Sequence, residues 1–182
     1  MFPQVVQVLL QSMYFLVPAY AANVAPVFAR KIDFLNYPLD FNRKFKGQPL
    51  LGKHKTFRGF FFGVLSAILM ALVQHLLYKT SFGYSLSLIT YNNWLTIGFL
   101  LGFGALVGDS FKSFFKRRLK VKPGNRFIPW DQLDFVFGAL VFVSIVYIPP
   151  VSFIIAALVA SFCLHVLAVH CAYYTGIRKE KW

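Results

Sequence analysis

The sequence has 182 residues, of which 58% are hydrophobic and 19% aromatic, whereas only 14% are charged. A soluble domain carries charge on about a quarter of its residues, so this composition excludes an ordinary soluble protein and indicates a membrane protein. The 19 Lys and Arg against 6 Asp and Glu give a formal net charge of +13. Because the basic residues lie between long apolar runs, this charge favours an anionic membrane surface or an anionic substrate over nucleic acid.

Five apolar runs come near the roughly 20 residues that a helix needs to cross a bilayer. They cover residues 2–24, 57–78, 92–115, 131–148 and 151–174. Pro149 and Pro150 separate the last two runs, because proline cannot continue a helix. The sequence therefore predicts an all-α fold, a single integral-membrane domain over 1–182 with five transmembrane helices. The first run is not expected to be a cleaved signal peptide, since no Lys or Arg precedes Arg30.

The positive charges are confined to alternate connections. Counting Arg58 at the start of the second run and Lys112 near the end of the third with the adjoining connections, eight Lys and Arg belong to the first connection, seven to the third and three to the C-terminal tail. Only Lys79 lies elsewhere. The positive-inside rule places these basic segments in the cytoplasm, with the N-terminus outside and the C-terminus inside. We therefore expect a multi-pass protein of the cell membrane whose active site lies at the cytoplasmic face.

Three of the acidic residues lie at the expected cytoplasmic ends of the third and fourth spans: Asp109, Asp131 and Asp134. An ionisable side chain within a span costs several kcal/mol unless it has a partner. The acids at 131 and 134 could simply stabilise a helix N-terminus, and Asp109 could pair with a nearby lysine. The alternative is that all three carboxylates bind a hard cation such as Mg²⁺, which prefers oxygen ligands.

Basic and hydroxyl side chains follow Asp109 at steps of three and four residues, as Lys112 or Ser113, Lys116 and Lys120. Such steps place them along one stripe of a helix. Carboxylates for a metal and lysines for phosphate oxygens are what phosphoryl or nucleotidyl transfer requires. We therefore predict catalytic roles for Asp109, Lys112, Lys116, Asp131 and Asp134.

The connection between the first two spans contains a second candidate anion site. The segment 52–59 (GKHKTFRG) places cations, a hydroxyl and glycines directly before a helix, where free N–H groups favour a phosphate. A solvated basic loop at the membrane surface is the alternative. The overlapping stretch 47–54 is one residue short of a P-loop and follows no predicted strand, so that motif is rejected. Asn23 is a further candidate for this cleft, although an Asn at a helix end is more often a cap.

The order of these motifs resembles the C-terminal signature of integral-membrane phosphatidate cytidylyltransferases. That signature has a Gly-Asp, a Ser-x-x-Lys-Arg and a final Asp-x-x-Asp, matched here by 108–109, 113–117 and 131–134. The size, the five spans and segment 52–59 are more similar to the archaeal branch, CDP-archaeol synthase. An acid of the bacterial basic loop is missing at 122–124, and Pro129-Trp130 replaces a Gly-Gly, which leaves the division of metal ligands open.

The resemblance implies transfer of CMP from CTP to an unsaturated archaeal ether-lipid phosphate, with release of pyrophosphate. It implies Mg²⁺ on Asp109, Asp131 and Asp134, and isoprenoid tails lying in the bilayer beside the Phe-rich second and third spans. The substrate and CTP-phosphate ligands would be Asn23, Lys53, Lys55, Thr56, Arg58, Ser113 and Arg117.

Other functions remain open from the sequence. A small membrane transporter or a non-catalytic lipid-binding protein is the alternative class, and a homodimer is compatible with the sequence. A phosphotransferase that consumes CDP-lipids is disfavoured because its Asp-rich signature is missing. His165 and His170 are five residues apart and therefore lie on different faces of a helix, which argues against a metal site there.

Overall fold

The computed structural model describes residues 3–52, 55–121 and 127–176. Within these residues the chain forms seven α-helices and one short hairpin. The helices are α1 (Gln4–Phe15), α2 (Val17–Phe28), α3 (Phe57–Leu77), α4 (Ser81–Leu86), α5 (Trp94–Arg118), α6 (Trp130–Val143) and α7 (Val151–Tyr174). The hairpin pairs β1 (Lys44–Phe45) with β2 (Gln48–Pro49) in antiparallel register. Its turn residues Lys46 and Gly47 both have positive φ, as tight hairpin turns require.

Three of these elements are long and apolar enough to cross a membrane: Phe57–Leu77, Tyr91–Arg118 and Val151–Tyr174. A fourth span results if the bent pair Gln4–Phe15 and Val17–Lys31 crosses as one unit. Helix α6 has 14 residues and is therefore about 21 Å long, less than the ~30 Å of a hydrocarbon core. The helical membrane architecture agrees with the sequence prediction, whereas the count of five spans stays a prediction.

The first apolar run is broken rather than straight. Helices α1 and α2 meet at an angle of 45°, and Pro18 lies in the first turn of α2, where its missing N–H costs nothing. The expectation that Asn23 ends this span is wrong, because α2 continues through Pro26 to Phe28. Pro26 cannot donate to the carbonyl of Ala22, and Gly63 of α3 lies against that same carbonyl, where a Cβ would approach to 2.9 Å.

Helix α5 is the central element of the bundle and contacts α2, α3 and α6. Gly98 and Gly102 lie against Ala71 and Ala67 of α3, where an added Cβ would collide with either neighbour. These glycines bring the two helix backbones together, as small residues do within membranes. Glycines of the third predicted span therefore permit close packing of α5 against α3.

A second row of glycines joins α5 to α6. A Cβ at Gly104 would lie 2.5 Å from the carbonyl oxygen of Gly138, and one at Gly108 would collide with the carbonyl oxygen of Asp134. The two backbones therefore touch one turn of helix before Lys112. The buried side chains of Phe135, Val136, Ala139 and Val143 on α6 belong to the main hydrophobic core.

Replacing Gly108 with Ala is expected to force α6 away from α5. Overpacking of this kind typically costs about 1–3 kcal/mol, so the melting temperature of the purified protein in detergent should fall. Gly59→Ala is the matched control, since its new methyl would meet the side chain of Pro26 at 3.2 Å and requires only a small shift. Equal melting temperatures for the two variants would contradict backbone contact between α5 and α6.

Candidate functional site

Charged side chains from three parts of the fold meet where the end of α5 passes the beginning of α6. Asp109 and Lys112 lie on α5, Asp131 and Asp134 on the first turns of α6, and Lys55 just before α3. The close approach of Gly108 to the backbone of Asp134 fixes this arrangement. The structure therefore brings the loop between the first two spans to the same end of the bundle as the predicted acids.

The ammonium group of Lys112 lies among all three carboxylates. Its Nζ is 3.2 Å from Asp109 Oδ1, 3.5 Å from Asp131 Oδ1 and 2.8 Å from Asp134 Oδ2. The Lys112 side chain is only 15% exposed. Charge pairs that are shielded from water in this way interact more strongly than pairs on an open surface.

The other two lysines of the site extend the same network. Lys55 forms a salt bridge with Asp109 across 54 residues of sequence. Lys116 donates to both oxygens of Asp131 at 3.0 Å. Asp131 also accepts the backbone N–H of Phe127 at 2.7 Å, which anchors the chain as it enters α6. Three ammonium groups thus balance three carboxylates.

Asp134 is the most deeply placed of the acids. It is only 7% exposed, and its Oδ2 makes no well-aligned hydrogen bond among the described residues although the ammonium of Lys112 is near. A buried carboxylate with spare acceptor capacity is costly unless a cation compensates it. Asp134 is therefore the acid most dependent on a neighbouring positive charge.

The predicted phosphate-binding residues fall into two groups. Lys55 joins the carboxylate cluster, whereas Lys53 lies outside the described residues. Arg58 is buried and donates to the carbonyl of Ile32 at 2.5 Å, and the Thr56 hydroxyl caps α3 by accepting from the N–H of Gly59. These two side chains therefore stabilise the loop and the start of α3 in this arrangement.

The remaining predicted ligands also make local contacts. The Ser113 hydroxyl donates to the backbone carbonyl of Asp109 at 2.9 Å. Arg117 donates to the carbonyl of Val121 and lies against Gly52, whose added Cβ would be 3.4 Å from its Nε. Asn23 is half-buried within α2, and no hydrogen bond of its side chain is described.

Asp40 organises the loop before α3, a role that the sequence reading missed. Its carboxylate accepts backbone N–H groups from Asn42, Leu51 and Gly52 at 2.9–3.2 Å. Burial raises the pKa of Asp40, but the hydrogen bonds from these three N–H groups lower it by more. The pKa of Asp40 is therefore below its usual value. The sequence Asp40-Phe41-Asn42 is a turn signal that could have revealed these hydrogen bonds.

Arg118 attaches the hairpin to the end of α5. Its guanidinium donates to the carbonyls of Phe45 at 2.9 Å and Pro49 at 3.4 Å. It also lies 5.1 Å from the ring centre of Phe45 and 4.6 Å from that of Phe114, within the range of cation–π attraction. The loop that carries Lys55 is therefore held against the helix that carries Asp109.

The acidic side chains fit a hard cation in chemistry, although their present spacing suits an ammonium. Within the residues that the structure describes, no three His, Cys, Asp or Glu side chains are spaced as ligands of one metal ion. The three carboxylates instead surround the charged nitrogen of Lys112, which occupies the position of a cation. Carboxylate oxygens converging on one positive centre are the donor set that Mg²⁺ takes.

An apolar groove of about 560 Å³ runs between α5 and α6. Aromatic rings line most of it, and Lys112 and Asp134 of the charged cluster are also among its lining residues. The aromatic lining residues are Phe111, Phe115, Phe127, Trp130, Phe137 and Phe142. The groove therefore lies between the predicted third and fourth spans, whereas lipid tails were expected beside the second and third.

Comparisons with known proteins agree on one family. A family model described as CarS-like, CDP-archaeol synthase, matches residues 5–182. The CDP-archaeol synthase of Methanococcus vannielii is 40% identical, with 97% of this chain and 98% of that protein covered. The enzyme of the same name from Methanocaldococcus jannaschii is 36% identical over the same shares of the two chains.

A further relative and a solved structure extend this agreement. The CDP-archaeol synthase of Thermofilum pendens is 37% identical, covering 94% of this chain and 80% of its own length. A solved intramembrane enzyme of archaeal membrane lipid biosynthesis is similar with a TM-score of 0.66 and 29% identity. It covers 86% of this chain and 90% of its own.

Proposed function

This chain belongs to the CDP-archaeol synthase family, and on that premise we propose the reaction that it catalyses. It transfers CMP from CTP to an archaeal ether-lipid phosphate, which yields the CDP-activated lipid and pyrophosphate. The observation that carries this proposal is that Lys112 and Asp134 of the charged cluster line the apolar groove between α5 and α6. A lipid phosphate needs an apolar channel next to polar groups, and both are present at one place.

The chemistry matches what the cluster offers. The lipid phosphate is already anionic at neutral pH and can attack the α-phosphorus of CTP, so no general base is required. The difficulty is to align two polyanions that repel each other and to neutralise the leaving pyrophosphate. Lys55, Lys112 and Lys116 supply positive charge from three directions for that purpose.

We further propose that Asp109, Asp131 and Asp134 hold Mg²⁺ at this site. When bound, this ion would polarise phosphate oxygens and neutralise charge as it develops. Asp134, deeply placed beside Gly108, and Asp131, fixed by the N–H of Phe127, are held by the fold itself. The fold therefore positions two of the three proposed metal ligands.

The lipid tails are proposed to lie in the groove between α5 and α6. Its lining is overwhelmingly apolar, and two of its lining residues, Phe137 and Val141, are substantially exposed. A chain entering from the bilayer would bury its apolar surface against these side chains. The phosphate end would then reach Lys112 and Asp134.

The orientation of the site follows from the basic segments and stays part of the proposal. The loop before α3 and the end of α5 carry most of the positive charge and meet at the same end of the bundle. The positive-inside rule places this end in the cytoplasm, where CTP is made. A role as a small transporter or a non-catalytic lipid-binding protein is not favoured by the family membership.

Asp109→Asn and Asp134→Asn are each expected to lower the rate of CDP-lipid formation about 100-fold or more. The reason is that each carboxamide keeps the shape of the side chain but removes a charge that holds cations in place. Rates would be measured with purified protein in detergent, by pyrophosphate release from CTP in the presence of the lipid phosphate.

Asp33→Asn is the matched control, because Asp33 is exposed in the loop after α2. This variant should keep its activity, and all three proteins should elute and melt as folded species. Full activity in both site variants would contradict the assignment of the site. Pyrophosphate release that does not depend on the lipid phosphate would contradict the reaction itself.

Val141→Trp is expected to raise the KM for the lipid phosphate about tenfold and to leave the KM for CTP unchanged. The larger ring would fill part of the groove, while the charged cluster stays intact. Val159→Trp introduces the same change at an exposed position of α7 that does not line the groove and serves as the control. An equal effect of both substitutions on the lipid KM would exclude the groove as the lipid site.

A further inference from the structure

Among the residues that the structure describes, the positive and negative charges of the site are already balanced. Asp109 is paired with Lys55 and Lys112, Asp131 with Lys112 and Lys116, and Asp134 with Lys112. All the side chains concerned are at most 22% exposed. Three carboxylates and three ammonium groups therefore form a neutral, mostly buried set.

Adding a divalent cation to a neutral set is electrostatically unfavourable. Two extra positive charges would have to be desolvated beside three ammonium groups, and the described part of the site offers no uncompensated negative charge to attract them. A nucleoside triphosphate changes this balance, because its phosphates bring several negative charges to the same place. The charge balance therefore couples binding of the cation to binding of the nucleotide.

The position of Lys112 makes this coupling specific to one side chain. Its Nζ lies 2.8–3.5 Å from an oxygen of each acid, which is the place that a shared metal ion would need. Mg²⁺ requires oxygen ligands at about 2.0–2.1 Å, so ammonium and metal cannot occupy this place together. The lysine side chain is flexible, and Lys112 already lines the groove between α5 and α6, which gives it room to move.

We propose that Lys112 is a tethered counter-ion that closes the divalent-cation site until nucleotide binds. The proposal deepens the proposed function and depends on it, since it concerns the same carboxylates. Lys112 thereby prevents a resident metal ion in the free protein. It also keeps Asp109, Asp131 and Asp134 compensated between turnovers.

The test uses Mn²⁺ alone as the probe, with the full chain in detergent and neither nucleotide nor lipid present. Free Mn²⁺ is followed by electron paramagnetic resonance during titration. The unaltered protein is expected to show no saturable binding below about 1 mM. Lys112→Gln removes the competing charge and should bind Mn²⁺ at least about tenfold more tightly.

Lys120→Gln is the matched control, because it removes the same charge from an exposed position just beyond α5. This variant should bind Mn²⁺ as weakly as the unaltered protein does. The proposal is overturned if Lys112→Gln binds no more tightly than Lys120→Gln. Tight, saturable Mn²⁺ binding by the unaltered protein without nucleotide would also overturn it.

Lys112→Arg keeps the test decisive if the Gln variant does not fold. Arginine retains the positive charge, so its Mn²⁺ affinity is expected to stay as low as that of the unaltered protein, and a tenfold increase would overturn the proposal. A Gln variant that folds only with Mn²⁺ present would support it. Turnover of the unaltered protein is measured separately. If the unaltered protein binds Mn²⁺ tightly without nucleotide and forms CDP-lipid normally, only the role of Lys112 is rejected. If the unaltered protein forms no CDP-lipid, the proposed function is rejected.

Discussion

The salt bridges between the ammonium of Lys112 and three carboxylates are the interaction on which the site depends. They join α5 to the start of α6, and Lys55 adds the loop before α3 to the same network. Near the apolar interior of a membrane protein such acids would be rejected without compensation. The network therefore stabilises the fold at the same atoms that we propose to use for binding phosphate and metal.

Small residues on α5 make this interaction geometrically attainable. Gly104 and Gly108 allow the backbone of α6 to touch α5, and Gly98 and Gly102 do the same for α3. Larger side chains at these positions would collide with the neighbouring helices and force them apart. Aromatic rings beside the contact between α5 and α6 line the groove.

The spacing of charged residues predicted the composition of the site but only part of its geometry. Asp109, Lys112, Lys116, Asp131 and Asp134 do meet, because steps of three and four residues place them on facing helix stripes. Hydropathy averages over the break at Leu16, although Pro18 in the first turn of α2 is a sequence signal for it. The early end of α6 at Val143 and the burial of Arg58 depend on tertiary packing, so the sequence could not reveal them.

A double-mutant cycle between Lys112 and Asp134 tests the central interaction most directly, with the free energy of unfolding in detergent as the readout. Removing one partner of a buried pair typically costs about 3–5 kcal/mol, whereas replacing both with apolar residues can be nearly neutral. We therefore expect Lys112→Met and Asp134→Leu each to destabilise the protein strongly and the double variant to regain most of the loss, while remaining inactive. Additive losses in the double variant would contradict the account.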